Sequence, residues 1–131
     1  MPVKVFNNIF TFTTTTYYQQ MDTSIFHHFS DIATKEVAPG FFSKLIHTDT
    51  NTINFIDVKK GSSIQRHRHI NEQCSFAIEG KFEFIINDEL QVLEPGLFAI
   101  IPPNVWHSGT AITDCKLIDI FSPVREDYKL L

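Results

Sequence analysis

The sequence predicts an all-β domain, either a barrel or a sandwich, on three observations. Short apolar runs follow one another at the spacing of strands, tight turn signals separate them, and no stretch has strong 3.6-residue helical periodicity. Thirteen phenylalanines among 131 residues add to the β propensity. The length is that of one domain, which we predict to comprise a barrel over residues 39–131 and an N-terminal extension over residues 1–38.

The N-terminal extension has the least regular pattern. Residues 11–20 (TFTTTTYYQQ) are rich in threonine and aromatic residues, which is typical of a peripheral or partner-swapped strand but also of a disordered arm. Residues 24–35 are compatible with a short helix, which the Pro39-Gly40 turn would close.

The predicted barrel contains eight apolar runs rich in Phe, Ile and Val, and each is short enough to be one strand. They cover residues 41–46, 51–59, 63–69, 74–78, 81–86, 91–93, 97–101 and 116–121. Turn signals rich in Gly, Pro, Asn and Asp lie between them.

Charge and composition exclude several classes of protein. Eleven Lys and Arg against fifteen Asp and Glu give a net charge of −4, which argues against a nucleic-acid partner. The longest apolar runs have about five residues, whereas a membrane helix needs roughly twenty. The first residues lack a long apolar stretch followed by small residues, so we expect no secretory signal. Cys74 and Cys115 have no CxxC spacing. We expect reduced thiols in a cytoplasmic protein, with a disulfide as the less favoured alternative.

Three histidines form the pattern with the clearest chemical meaning. His67 and His69 are two residues apart, so a strand would point both imidazoles to one face and Arg66 and Arg68 to the other. His107 lies far along the chain, directly after a proline-rich turn. Such a pair is by itself more often ordinary surface or core histidine. With the third histidine and a fourth ligand, however, it could hold a divalent metal ion.

The region around the histidine pair resembles the first sequence motif of the cupin superfamily, G-x5-H-x-H-x(3,4)-E-x6-G. Glutamine stands where the family usually has a glutamate ligand. The matching positions are Gly61, His67, His69, Gln73 and Gly80.

The third histidine lies in a match to the second cupin motif, G-x5-P-x-G-x2-H-x3-N. Gly96, Pro102 and His107 occupy matching positions. Asn104 replaces a glycine, a mild change because asparagine tolerates the left-handed conformation, and Ala111 replaces the final asparagine.

The resemblance covers about residues 40–125 and implies the cupin β-barrel, also called a double-stranded β-helix or jelly roll. It also implies a bound divalent metal ion, whose identity stays open because His and Gln accept Ni, Zn, Fe, Co and Mn alike. The implied ligands are His67, His69, Gln73 and His107.

Glu72 is the alternative to Gln73 as the fourth ligand. It would leave seven residues before Gly80 instead of six, and adjacent residues of a strand face opposite ways. We therefore predict Gln73. A neutral amide leaves the metal its full charge, which makes it a stronger Lewis acid towards an anionic substrate.

Asp119 lies in the middle of an otherwise apolar predicted strand, on the same face as Leu117 and Phe121. Burying an unpaired carboxylate is costly, so we expect it to meet a cation, a metal-bound water or solvent. The alternative is that Asp119 pairs with Arg125 and fixes the C-terminal tail. Spacing alone does not decide between them.

The ending D-x-F-S-P-x-R-E-D-Y and the N-E-Q step at residues 71–73 resemble one branch of small cupins. This branch includes KdgF, which acts on unsaturated uronate monomers in pectin and alginate catabolism. The resemblance implies three catalytic pocket residues. Asp119 would move a proton, Phe121 would wall the pocket, and Arg125 would clamp a carboxylate.

The resemblance implies metal-assisted conversion of a 4,5-unsaturated uronate, or a similar small sugar acid, to its linear keto form. Two other functions remain open, namely a metal-dependent oxygenase and a non-catalytic module that binds a sugar acid. A homodimer formed through a sheet face is also implied, with Ile118 and Ile120 as outward apolar positions.

Overall fold

A computed structural model describes residues 24–131, which form ten strands and two single 3₁₀ turns. The N-terminal run predicted over residues 11–20 lies outside the described residues. The strands are β1 (Thr34–Ala38), β2 (Phe41–His47), β3 (Thr52–Val58), β4 (Ser63–His67), β5 (Glu72–Glu79), β6 (Phe82–Ile86), β7 (Glu89–Leu93), β8 (Phe98–Ile101), β9 (His107–Ala111) and β10 (Cys115–Ser122). The 3₁₀ turns are Phe29–Asp31 and Tyr128–Leu130.

The strands form two antiparallel sheets. The larger has the order β1-β2-β3-β10-β5-β8, and the smaller has the order β4-β9-β6-β7. Alternate residues of β3, β5 and β10 are buried, as expected for strands with one face against a core. The predicted all-β jelly-roll architecture is confirmed.

The core between the sheets is built around aromatic rings. Phe82 packs edge-on against Phe41 at 6.2 Å and against Phe84 at 5.2 Å between ring centroids. Edge-to-face contacts are favourable because the positive ring edge meets the negative ring face. Aliphatic side chains such as Leu93, Ile101 and Leu117 fill the rest, and all three are buried.

Two strands were absent from the sequence prediction. β1 pairs with β2, so residues 34–38 belong to the six-stranded sheet although they were assigned to the extension. The compact unit that contains the barrel spans Ile32–Leu131. The helix expected within residues 24–35 is reduced to the 3₁₀ turn Phe29–Asp31, because β1 already begins at Thr34. β9 is the second addition, and it carries His107.

Two further observations concern the cysteines and the helices. Cys74 and Cys115 are free thiols. Within residues 24–131, no helix has the length and apolar character needed to cross a membrane.

Candidate metal centre

A β-bulge sets the position of His67. Ile64 pairs with Gly109 and His67 pairs with His107, so two residues of β4 lie opposite a single residue of β9. A bulge of this kind changes the facing of the residues that follow it. Both Ile64 and His67 consequently line the interior cavity, although they are three residues apart.

His69 does not share a strand with His67, contrary to the sequence prediction, because β4 ends at His67. A backbone hydrogen bond from the Asn104 amide to the His69 carbonyl, at 2.7 Å, fixes the loop instead. Asn104 has a φ of 61°, the left-handed conformation expected where the motif usually has glycine. The two cupin motifs are thus joined directly. Arg66 and Arg68 are exposed and both lie over the ring of Trp106.

The three imidazoles predicted as ligands converge. One ring nitrogen from each of His67, His69 and His107 lies within 4.8 Å of the other two. The ring centroids of His67 and His107 are 4.2 Å apart, and those of His69 and His107 are 4.9 Å apart.

Backbone carbonyls fix the tautomers of all three rings. Each Nδ1 lies 2.7–3.0 Å from a carbonyl oxygen two residues away in the chain. A carbonyl only accepts, so each Nδ1 must carry the hydrogen, and each Nε2 has a free lone pair for a metal ion. The donor and acceptor pairs are His67 with Gln65, His69 with Asn71, and His107 with Val105.

Gln73 joins the group from β5 and is buried, whereas Glu72 is exposed, as the strand register predicted. The Gln73 Oε1 lies 3.0 Å from the Nε2 of His69. With the hydrogen of His69 on Nδ1, these two atoms are both acceptors facing one another. A shared cation resolves that conflict, because ligands at about 2.0–2.2 Å from one ion lie roughly 3 Å apart when adjacent.

Burial favours the neutral form of two of the imidazoles. It lowers the pKa of His107 to about 4 and lowers the pKa of His69 as well. The Nε2 of His107 is buried and has no hydrogen-bond partner among the described residues. An orphaned neutral imidazole beside two others and an amide oxygen is a donor set that fits a first-row divalent metal.

Asp119 lies on β10, in the same cavity as the predicted metal ligands His67, Gln73 and His107. Its Oδ1 accepts a 2.6 Å hydrogen bond from Ser75, and burial raises the pKa of the carboxyl to about 6. The ion pair with Arg125, which spacing had left open, is not formed. Arg125 instead donates through Nε and Nη2 to Asp127, at 2.9 and 2.8 Å, because a residue two positions away is within easy reach.

Arg125 is nevertheless buried at the cavity. Its guanidinium carbon lies 4.7 Å from the ring centroid of Phe121 and 3.8 Å from that of Tyr128. Asp127 occupies the Nε–Nη2 edge, so the Nη1–Nη2 edge is the one that Asp127 does not cover. Phe121 is also buried and packs edge-on against His69 at 5.5 Å.

Four cavity or support residues were missed by the sequence prediction. Asn54 and Tyr128 line the cavity, Ser75 holds Asp119, and the Asn71 side chain donates to the Pro123 carbonyl at 2.7 Å. Asn54 could have been found by the reasoning that found Asp119, since it is a polar residue facing inward on an apolar strand.

The sequence profile of the family described as "Cupin domain" matches residues 54–121, just over half of the chain. The chain is a cupin. Its match region begins at Asn54 and ends at Phe121, so it encloses all four predicted metal ligands. No curated protein sequence matches this cupin.

Several solved structures are similar to this cupin, and two of them are small proteins that the match covers almost completely. An RmlC-like cupin from Shewanella frigidimarina has 27% identity and a TM-score of 0.75, covering 81% of this chain and 96% of that one. KdgF from a Halomonas species has 28% identity and a TM-score of 0.74, covering 81% and 99% respectively. Salicylate 1,2-dioxygenase from Pseudoaminobacter salicylatoxidans has 22% identity and a TM-score of 0.61, covering 65% and 26%, which shows the shared fold alone.

Proposed function

We propose that this cupin is a metal-dependent enzyme that converts a 4,5-unsaturated uronate, or a similar small sugar acid, to its linear keto form. The observation that carries the proposal is the convergence of three Nε2 atoms and one amide oxygen at a cavity that also holds a buried acid and a buried guanidinium. The likeness to KdgF supports the substrate class.

The proposed reaction is an isomerisation. The C1 hydroxyl of the hemiacetal loses its proton, the bond between C1 and the ring oxygen breaks, and C1 becomes an aldehyde. The freed oxygen on C5 becomes a ketone as C4 takes up a proton. One proton is released and one is taken up, so neither an oxidant nor a net water is consumed.

Each catalytic residue has a role that follows from its surroundings. A bound divalent ion would act as a Lewis acid on a substrate oxygen, and His67, His69, Gln73 and His107 would hold it. Asp119 has a pKa of about 6, near neutrality, which suits a group that gives and takes a proton. Arg125 would bind the uronate carboxylate through its Nη1–Nη2 edge. Phe121 would wall the cavity and exclude water.

The tests begin with elemental analysis of the purified protein and a uronate ring-opening assay with and without chelator. We expect a divalent metal, turnover that chelation abolishes, and recovery when the metal is returned. Asp119→Asn at saturating metal should lower kcat by about 10²-fold or more, because a positioned acid or base contributes that much. Asp57→Asn is the matched control, since Asp57 is exposed on neighbouring β3.

Other outcomes would identify the competing functions. Uptake of dioxygen by the metal-loaded protein would indicate an oxygenase. Tight binding of a uronate in calorimetry without chemical change would indicate a binding module. Unchanged turnover in Asp119→Asn would show that the role given to Asp119 is wrong. We also propose a cytoplasmic location, which the two free thiols support.

A further inference from the structure

A continuous chain of hydrogen bonds runs from Asp119 to the metal ligand Gln73. The Asp119 Oδ1 lies 2.6 Å from the Ser75 Oγ, and the Ser75 Oγ lies 2.9 Å from the Gln73 Nε2. All three side chains are buried, and Ser75 has no exposed surface. The strand register explains the contact, because Asp119 on β10 lies directly opposite Ser75 on β5.

The chemistry of these groups gives the chain one direction. The Ser75 hydroxyl donates to the Asp119 Oδ1, and a hydroxyl has only one hydrogen to give. The Ser75 oxygen is then left as an acceptor, and it can receive a hydrogen bond only from the NH₂ group of Gln73. The amide nitrogen therefore faces the acid, and the amide oxygen faces His69.

The opposite orientation of the amide would close the metal site. A Gln73 amide turned by half a rotation would donate N–H to the free Nε2 of His69, satisfying the imidazole without an ion. It would also present nitrogen, which has no lone pair for a metal. The two orientations of the amide have nearly the same shape, so packing does not choose between them. The hydrogen bond between the amide nitrogen and Ser75 does.

We propose that Ser75 is a positioning residue that, backed by Asp119, fixes the Gln73 amide with its oxygen towards the metal. The proposal rests on the proposed metal site but is independent of the uronate reaction. Ser75 does not contact the metal or the substrate in this role. It acts through Gln73, and its removal should weaken metal binding even when no substrate is present.

The direct test is the affinity of the metal-free protein for Co²⁺, measured at pH 7.5 by competition with a chromophoric chelator. Ser75→Ala should lower the affinity by about 10- to 100-fold, the usual effect of losing a group that orients a metal ligand. The visible absorption spectrum of bound Co²⁺ should also change, because an amide oxygen leaves its coordination shell. Ser75→Thr keeps a hydroxyl at this position and should retain most of the affinity.

Ser43→Ala is the matched control. Ser43 is as fully buried as Ser75 and lies on the same sheet, but its Oγ has no hydrogen-bond partner among the described residues. It should leave Co²⁺ affinity within about twofold. A general effect of removing a buried serine would appear in both variants, whereas loss of amide orientation would appear only in Ser75→Ala.

A double-mutant cycle isolates the path through Gln73. Once Gln73→Ala has removed the amide, adding Ser75→Ala should cause no further loss of Co²⁺ affinity. An equal loss in both backgrounds would overturn the positioning role, as would unchanged affinity in Ser75→Ala alone. Failure of the wild-type protein to bind Co²⁺ would overturn the metal site itself, and with it this proposal.

Discussion

Asp119 combines a buried carboxyl with a hydroxyl donor. Desolvation raises its pKa to about 6, and the Ser75 hydrogen bond opposes this only in part. The ionised form is therefore less favourable in the folded barrel than in the unfolded chain, where the pKa is near 3.8. Burial of this carboxyl therefore lowers the stability of the folded protein at neutral pH.

The pH dependence of unfolding should reveal this cost. Between pH 4 and 6 the folded metal-free protein keeps a proton on Asp119 that the unfolded chain releases, so this group makes stability fall as pH rises. Asp119→Asn lacks the effect. Relative to wild type, the variant should gain about 2–3 kcal/mol in the free energy of unfolding from pH 4 to pH 7.

Urea denaturation of both proteins in the presence of chelator measures this difference. The comparison cancels the opposite contribution of His107, whose lowered pKa makes stability rise with pH in the same range. A difference between wild type and variant that stays constant from pH 4 to pH 7 would contradict the raised pKa of Asp119.

The sequence predicts whether a side chain is buried where the alternation of residues along a strand is enough to decide it. Asp119 and Gln73 were placed correctly in the interior because their apolar neighbours reveal which face is buried. The partner of Asp119 was not predictable, because Ser75 lies 44 residues away and is brought opposite only by the strand register. The pair between Asp119 and Arg125, which spacing leaves open, is not formed, because Asp127 lies only two residues from Arg125 and accepts its hydrogen bonds.

At the scale of elements, β9 depends on the absence of a side chain at Gly109. A Cβ at this position would overlap the aromatic ring of Phe82, which is buried at the centre of the core. Glycine in a strand often marks such a close approach. The same strand positions His107, so both the packing of the core and the placement of this predicted metal ligand depend on one residue.

Gly109→Ala should therefore destabilise the protein by about 1–3 kcal/mol, the usual cost of forcing an extra carbon into a packed core. Ser108→Ala, at the adjacent half-buried position, is the control and should stay within about 0.5 kcal/mol of wild type. Chemical denaturation at one pH compares the three proteins. Equal stability of Gly109→Ala and wild type would show that β9 can move away from Phe82 freely.

The strand pattern was predictable where strands are apolar and bounded by turn residues, as in β3 and β10. β9 has the sequence HSGTA, and its glycine and small polar residues carry little β propensity. β1 has the sequence TKEVA and is an edge strand. Both strands form because a neighbouring strand supplies their hydrogen bonds. The local sequence pattern does not reveal which neighbour that is.

At the scale of the whole molecule, the candidate metal centre contains residues from both sheets. His67 and His107 belong to the four-stranded sheet, while Gln73 and Asp119 belong to the six-stranded sheet. The site is therefore complete only when the sheets pack together. Local propensity does not predict this long-range arrangement. The spacing of the two motifs does, because it is a property of the whole cupin fold.

The outer face of the six-stranded sheet carries neighbouring exposed apolar side chains. On the six-stranded sheet, Phe98 and Ile100 are 55% and 58% exposed, and Phe98 stacks on Phe76. On the four-stranded sheet, Ser63 and Thr110 share a hydrogen bond on exposed surface. Contiguous exposed apolar side chains usually mark an interaction surface. We propose that a second copy of this chain covers this surface, as the sequence resemblance implies.

Light scattering should accordingly give a mass of about 30 kDa, twice the 15.1 kDa of one chain. Phe98→Glu should shift the mass towards one chain, because a two-fold interface brings the new charge into a desolvated apolar contact from both copies. Leu90→Glu is the control, since Leu90 is equally exposed, at 55%, but lies on β7 of the other sheet. A wild-type mass near that of one chain, or dissociation in both variants alike, would contradict pairing through the six-stranded sheet.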